Sequence, residues 1–201
     1  MNKDITQWAR TCLPCQRAKI HRHVKLNPEK IAIPDERFKQ IHLDLIGPLP
    51  LTNNFRYCLT MVDRYTRWPE AAPLTEATAE AVAEAFYTTW ISRFGAPQII
   101  TTDQGTQFES ELFRILTHLI GCKRTRTSPY HPASNGMLER WHRTLKTALS
   151  CHLQNDRDWT TSLPTVLLGL RTVFKDDLKC STAELLYGTT LKIPGEFFED
   201  T

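Results

Sequence analysis

Nowhere in the 201 residues do 18 apolar residues follow one another, and the opening stretch Met1 to Arg10 is polar without an apolar centre. Neither a membrane-spanning helix nor a secretory leader is therefore predicted. No internal repeat or low-complexity tract is present either. Cysteine is sparse: the six lie at 12, 15, 58, 122, 151 and 180, scattered apart from one C-x-x-C pair, and several sit inside apolar runs. That distribution excludes a disulfide framework and predicts that Cys58, Cys122, Cys151 and Cys180 are buried small hydrophobes rather than nucleophiles. A soluble, intracellular chain with no membrane partner and no evident targeting signal is expected.

What is present is a core's worth of apolar residues, 41 % of the chain, enough for one domain with a small appendage. The net charge is only +3, but it is unevenly laid out: +5 over residues 1–40, −4 over 41–121, +5 over 122–154 and −3 over 155–201. A basic segment beside an acidic centre suits a polyanion lying across a metal site, although a solvated surface of mixed charge would read the same way.

Residues 26–40 (LNPEKIAIPDERFKQ) carry two prolines and no periodicity and read as a linker whose boundary falls near Pro34. Ile41, Leu43 and Leu45 then alternate with His42, Asp44 and Ile46, predicting a strand with Asp44 on the face opposite the leucines. Tyr57 to Val62 is a continuous apolar run broken only by Thr60, and Trp68 to Ala72 makes a third strand. Small and apolar residues at 77, 81, 82, 85, 86 and 90 predict a helix over Thr75 to Phe94, stopped by Gly95 and Pro97. Gln98 to Thr102 is a β-branched strand ending at Asp103. Beyond the Gly105 turn a helix runs through Leu112, Leu116, Leu119 and Ile120, and Lys123 to Thr127 supplies one more strand. The loop Ser128 to Ser134 precedes a long helix whose buried stripe is Leu138, Trp141, Leu145, Ala148 and Leu149, capped by Ser134 or Asn135. Thr160 to Arg171 and Ser181 to Tyr187 add two more helices. The order implies an α/β fold with a mixed sheet.

Three acids stand out: Asp44 mid-strand, Asp103 at a strand's C-terminal end and Glu139 on the long helix. Singly, each has an ordinary reading as an edge-strand residue, a turn former or one charge on a wet helix face. Together they fit the place where α/β sheets gather ligands, the carboxyl ends of the strands, with a helix supplying a third group. Three carboxylates are hard oxygen donors suited to Mg²⁺ or Mn²⁺ rather than zinc. Two such ions can activate a water or a 3′-hydroxyl and stabilise the leaving oxygen of an in-line phosphodiester displacement. Arg143 and Lys146, four and seven residues beyond Glu139, share its helix face and would meet phosphates there. An ordinary i,i+4 ion pair between Glu139 and Arg143 is the plainer alternative.

Between Asp103 and Glu139 lie 35 residues, in the contexts HLDLIGPLP, TTDQGTQFES and SPYHPASNGMLERWHRTLK. With CLPCQRAK, MVDRYTRWPEA, ISRFGAPQIITTDQGTQF and AELLYGTTLKIPGEFF, these motifs span nearly the whole chain, which resembles the D,D-35-E integrases, most of all those of gypsy-class LTR retrotransposons. The resemblance implies an RNase H-like fold with a mixed five-stranded sheet flanked by helices. It also implies Asp44, Asp103 and Glu139 as ligands of two Mg²⁺ or Mn²⁺ ions, and 3′-end processing and strand transfer of element DNA. Arg143 and Lys146, with Tyr130, His131 and Asn135 of the loop before the helix, are the implied DNA contacts. A two-metal mechanism does not require His131 as a general base. DNA ends and target DNA are the expected partners, a homo-oligomer the expected working form and the nucleus the place of action.

Cys12 and Cys15 form half of a zinc site that in such integrases is completed by two upstream histidines. The sequence begins at Met1 without them, and His21 and His23 do not match the pattern, so weak zinc binding or none is expected. The expected organisation is an incomplete zinc-binding remnant over 1–25, a linker over 26–36, a catalytic domain over 37–193 and a tail over 194–201, in a fragment or truncated product of a Pol polyprotein. Two other functions compete: a non-catalytic nucleic-acid-binding relic, and an RNase H-type nuclease acting on RNA–DNA hybrids.

Overall fold

The computed structural model describes residues 3, 7, 11, 34–126, 141–149 and 158–194. Two compact units divide the chain, Met1–Lys30 and Ile31–Thr201, and the second carries everything described below. Its centre is a five-stranded sheet in the order β3-β2-β1-β4-β5. Strand β1 (Gln40–Ile46) runs antiparallel to β2 (Tyr57–Asp63), and β2 is antiparallel to β3 (Pro69–Leu74). On its other side β1 is parallel to β4 (Ile99–Thr102), which is parallel to β5 (Lys123–Arg126). This is the mixed sheet that the order of elements implies.

The alternation in β1 sorts residues between two apolar layers. Ile41 and Leu43 join Leu59, Met61 and Ile100 under α1 (Ala79–Phe86), its continuation through Trp90, and α3 (Glu111–Leu119). Ile46 and Cys58 go to the opposite face. There they meet Leu145 and Leu149 of the helical stretch 141–149 (α4) and Trp159, Leu163, Val166, Leu167 and Leu170 of α5 (Trp159–Thr172). Asp44, two residues from Ile46, is on this second face. A short hairpin of β6 (Phe174–Lys175) and β7 (Cys180–Ser181) leads into α6 (Thr182–Tyr187), opened by a capping box in which Ser181 and Glu184 exchange hydrogen bonds. Such a box satisfies two otherwise orphaned helix donors.

Several details depart from the sequence reading. The helix expected from Thr75 starts at Ala79, because the Thr78 hydroxyl accepts the Ala81 N–H and fixes the N-terminus there, a cap worth about 1 kcal/mol. Its later part, Tyr87–Ile91, widens into a π-helical turn. Trp90 within that turn is fully buried, edge-on to Phe38 and against Phe94. The helix after Gly105 is broken at Ser110 into α2 (Thr106–Glu109) and α3, with Ser110 capping the second through the Phe113 N–H. The buried face of α3 is Phe113 and Thr117, with Leu116 and Ile120 packed beside them, and it leaves Leu112 and Leu119 exposed. Cys58 is buried as expected, but Cys122 and Cys180 are only half-buried. Cys122 lies at the entrance to the edge strand β5, packed against the rim of the first apolar layer, and Cys180 lies in the small hairpin. The β6–β7 hairpin was too short to read from periodicity. Leu138, Thr127 and Cys151 lie outside the described residues. None of the described helices is long and apolar enough to cross a membrane.

Candidate active site

The β1–β4 register decides which acids meet. His42 pairs with Thr101 in this parallel ladder, and continuing two residues along both strands sets Asp44 level with Asp103. Adjacent strands lie about 4.8 Å apart, so the two carboxylates are neighbours at the C-terminal ends of parallel strands. Asp103 is exposed just past β4, where its Oδ1 accepts the Gly105 N–H at 3.0 Å. That bond starts the turn into α2. Asp44 is more enclosed, with 28 % of its side chain exposed.

The electrostatics bear this out. Burial pushes the Asp44 carboxyl up to about 6, the negative charge of Asp103 adds to the shift, and the Leu45 N–H and Lys146 oppose it. A partly buried carboxylate facing a second carboxylate is short of positive charge. Two hard oxygen donors held together in this way fit a divalent cation, which would relieve their repulsion. Among the described residues no three His, Cys, Asp or Glu side chains gather into a metal-holding group. Glu139, the third expected ligand, lies outside them, as do Tyr130, His131, Asn135, Cys12 and Cys15.

Helix α4 brings the expected cation to the site. Lys146 is exposed, and its charge acts on both Asp44 and His142. Arg143 is exposed on the same helix, and among the described residues it pairs with no carboxylate. Leu145 and Leu149 are buried and Trp141 and Ala148 partly so, which is the stripe expected for this helix.

The sequence reading missed His142 and Thr60. His142 Nδ1 stands 3.3 Å from Asp44 Oδ2, and its Nε2 is 2.9 Å from the hydroxyl of the fully buried Thr60. Burial, and then the charge of Lys146, push the imidazole down to about 4, so the ring is neutral at physiological pH. Both residues left a trace in the sequence. Thr60 is the one break in the apolar run Tyr57 to Val62, and His142 falls on the buried side of the stripe, three residues before Leu145.

The basic segment 122–154 is partly neutralised where it enters the sheet. Arg124 and Arg126 of β5 both bind Glu109 of α2, Arg126 Nη2 at 2.7 Å. Less free positive charge therefore flanks Asp103 than the count suggests.

Residues 34–132 match the family described as the integrase core domain. The Pro-Pol polyprotein of simian foamy virus type 3 (strain LK3) is 30 % identical over 202 residues, covering 96 % of this chain and 17 % of that protein. The retrovirus-related Pol polyprotein from transposon 412 of Drosophila melanogaster is 28 % identical over 199 residues, covering 98 % of this chain and 16 % of that protein. The chain thus spans about one-sixth of the length of these relatives. Among solved structures, the catalytic core domain of BIV integrase superposes with a TM-score of 0.61 at 23 % identity, over 74 % of this chain and 93 % of that one. A simian T-cell lymphotropic virus intasome in complex with PP2A regulatory subunit B56 gamma gives 0.72 at 17 % identity, over 96 % of this chain and 69 % of that one. These likenesses establish the RNase H-like fold of integrase cores.

Proposed function

From the match of residues 34–132 to the integrase core domain family we propose that this chain is the catalytic core of a retroelement integrase, processing DNA 3′ ends and joining them to target DNA. The observation that carries the reading is the adjacency of Asp44 and Asp103 at the ends of parallel strands, with the negative charge of Asp103 acting on Asp44. Integrase cores typically use a divalent metal. In this chain Asp44, Asp103 and Glu139 would hold it, Mg²⁺ or Mn²⁺ by the hardness of the donors, with two ions in the working state. When bound, such ions supply Lewis-acid activation of the attacking oxygen and stabilisation of the leaving one.

The remaining work falls to the chain's own residues. The sheet fixes Asp44 and Asp103 relative to each other, and the buried faces of α4 fix that helix against β1 and β2. Lys146 presents an exposed ammonium beside Asp44, where a DNA phosphate approaching the carboxylates would find its charge partner. Arg143, Tyr130, His131 and Asn135 extend the same DNA contact in this proposal. DNA ends and target DNA are the partners, the working form is a homo-oligomer and the site of action is the nucleus. The division into a zinc-binding remnant over 1–25, with Cys12 and Cys15 holding zinc weakly or not at all, a linker over 26–36, a catalytic domain over 37–193 and a tail over 194–201 belongs to the same reading.

The test is strand transfer by the purified chain on a labelled oligonucleotide with a recessed 3′ end, in Mg²⁺ and in Mn²⁺, beside Glu139→Gln. Joined products that vanish in the variant support the reading. DNA binding without joining in either metal would make the chain a non-catalytic relic.

A further inference from the structure

The Asp44 carboxylate is approached at both oxygens by groups to which the proposed chemistry assigns no role. Oδ1 accepts the N–H of Leu45 at 2.7 Å. Oδ2 stands 3.3 Å from His142 Nδ1. The far side of the same imidazole is tied to the sheet, with Nε2 2.9 Å from Thr60 Oγ1, and that hydroxyl lies 3.0 Å from the Asp44 carbonyl oxygen. A closed ring of contacts therefore joins β1, β2 and α4 around one carboxylate. His142 has 13 % of its side chain exposed and Thr60 none, so water does not compete freely for these bonds.

Proton counting distinguishes the two arrangements of the ring. A neutral imidazole carries one N–H and a threonine hydroxyl one O–H. With the proton on Nδ1, the ring donates to the ionised Asp44 carboxylate and Nε2 accepts from Thr60. With the proton on Nε2, the ring donates to Thr60, whose hydroxyl turns to the Asp44 carbonyl, and the bare Nδ1 lone pair faces a carboxylate oxygen. Each arrangement leaves one contact without a proton, the Thr60 hydroxyl oxygen against the neutral Asp44 carbonyl in the first and Nδ1 against a full negative charge in the second, and because the charged contact is the more repulsive, an ionised Asp44 selects the first.

We infer that His142 is a positioning residue. Its Nδ1–H fixes the rotation of the Asp44 carboxylate, with Thr60 as the anchor that fixes the ring, so that the remaining lone pairs of Asp44 are available beside Asp103. This rests on the metal-site reading above and adds a residue to it that touches no reacting atom. Groups of this kind, bonded to metal-ligating side chains, commonly change affinity 10–100-fold when removed. The placement also explains why a polar residue stands on the buried side of α4. The same ring that orients Asp44 pins the helix to β2 at Thr60.

Two measurements test it. The first needs no metal: a long-range ¹H–¹⁵N spectrum of the metal-free protein at pH 7.5 reads the His142 tautomer directly. A neutral ring protonated at Nδ1 is expected, and protonation at Nε2 overturns the inference. The second is Mn²⁺ binding, followed by the loss of the free-ion EPR signal, in wild type, H142L, H142N and D44N, each first shown to be folded by its unfolding transition. H142L should bind about 10-fold more weakly or worse, while H142N, which keeps an N–H donor near the Nδ1 position, recovers most of the loss. H142L binding as tightly as wild type, where D44N does not bind, overturns the inference and leaves the metal site standing. Equal Mn²⁺ binding by wild type and D44N would instead sink the metal site, and the tautomer spectrum would still decide whether His142 donates to Asp44.

Discussion

Two carboxylates enclosed within the same sheet have opposite circumstances. Glu70 on β3 is 4 % exposed, and every direction it faces is answered. Its Oε1 accepts the Trp68 indole N–H at 3.0 Å, and its Oε2 meets Arg171 at 2.8 Å and Arg93 at 3.5 Å. Arg171 in turn donates to the Pro69 carbonyl and lies over the Trp68 ring, 4.5 Å from its centroid. Asp44 on β1, two strands away, faces another carboxylate, has only partial relief from Lys146, and is raised to about 6. A buried acid with its cations already in place is part of the scaffold. One left short of positive charge at the end of the strands is where a cation or a phosphate-bound cation belongs. The contrast separates structure from function more sharply than burial alone, because both side chains are largely buried.

The comparison breaks most visibly at Glu70. Glu70→Ala leaves the Arg171 guanidinium buried without its carboxylate, and removing one partner of such a pair costs about 3–5 kcal/mol. For a domain of this size the melting temperature should fall by about 10 °C. A urea transition unchanged from wild type would show that the Glu70 network contributes nothing.

At Asp44 the sign reverses. Its folded carboxyl is raised to about 6 from its ordinary 3.8, so the folded state binds the proton more tightly than the unfolded chain. Stability from this group is complete below about pH 4 and is lost as the pH climbs through about 6. At pH 7.5 the metal-free protein carries a penalty on the order of 2 kcal/mol after solvent screening. Asp44→Asn removes it, so the variant's advantage over wild type in urea midpoint should grow between pH 4 and 7.5. A constant or shrinking difference over that range would mean that Asp44 is not under strain from its surroundings.

The smallest effect is expected at His42, on the same face of β1. It is 1 % exposed, both ring nitrogens lack a hydrogen-bond partner among the described residues, and burial, with the charge of Arg64, pushes it down to about 4. For a base lowered in this way, the contribution to stability is intact above the unfolded value of 6.5 and is lost as the pH falls toward 4. His42→Leu should gain about 1 kcal/mol at pH 7.5 and flatten the acid side of the stability curve. A loss of stability at pH 7.5 would instead indicate a partner for the imidazole.

Most of this frame was legible in the sequence because its signals are periodic. The i,i+2 alternation of Ile41, Leu43 and Leu45 carried the strand and the side on which Asp44 lies. The Leu145/Leu149 stripe carried the packing of α4. What escaped depends on tertiary partners. Leu112 and Leu119 look like core residues but are exposed, because the Ser110 cap sets the phase of α3 and turns Phe113 inward instead. The surroundings of Glu70 join β3 to the distant Arg93 and to Arg171 of α5 and have no local signature. The pairing of Asp44 with Asp103 needed the β1–β4 register, and the contact of His142 with Asp44 needed both the helix phase and its docking on β2. Only the breaks in the apolar pattern, Thr60 and His142, hinted at it.

The central claim is that Asp44 trades stability for chemistry, and it is tested most directly by measuring unfolding and strand transfer on the same preparations of wild type and Asp44→Asn at pH 7.5. The expected result is wild-type joining that requires Mg²⁺ or Mn²⁺, and a variant at least as stable as wild type that joins nothing. A variant that joins DNA at the wild-type rate, or one that is inactive only because it is unfolded, would contradict it.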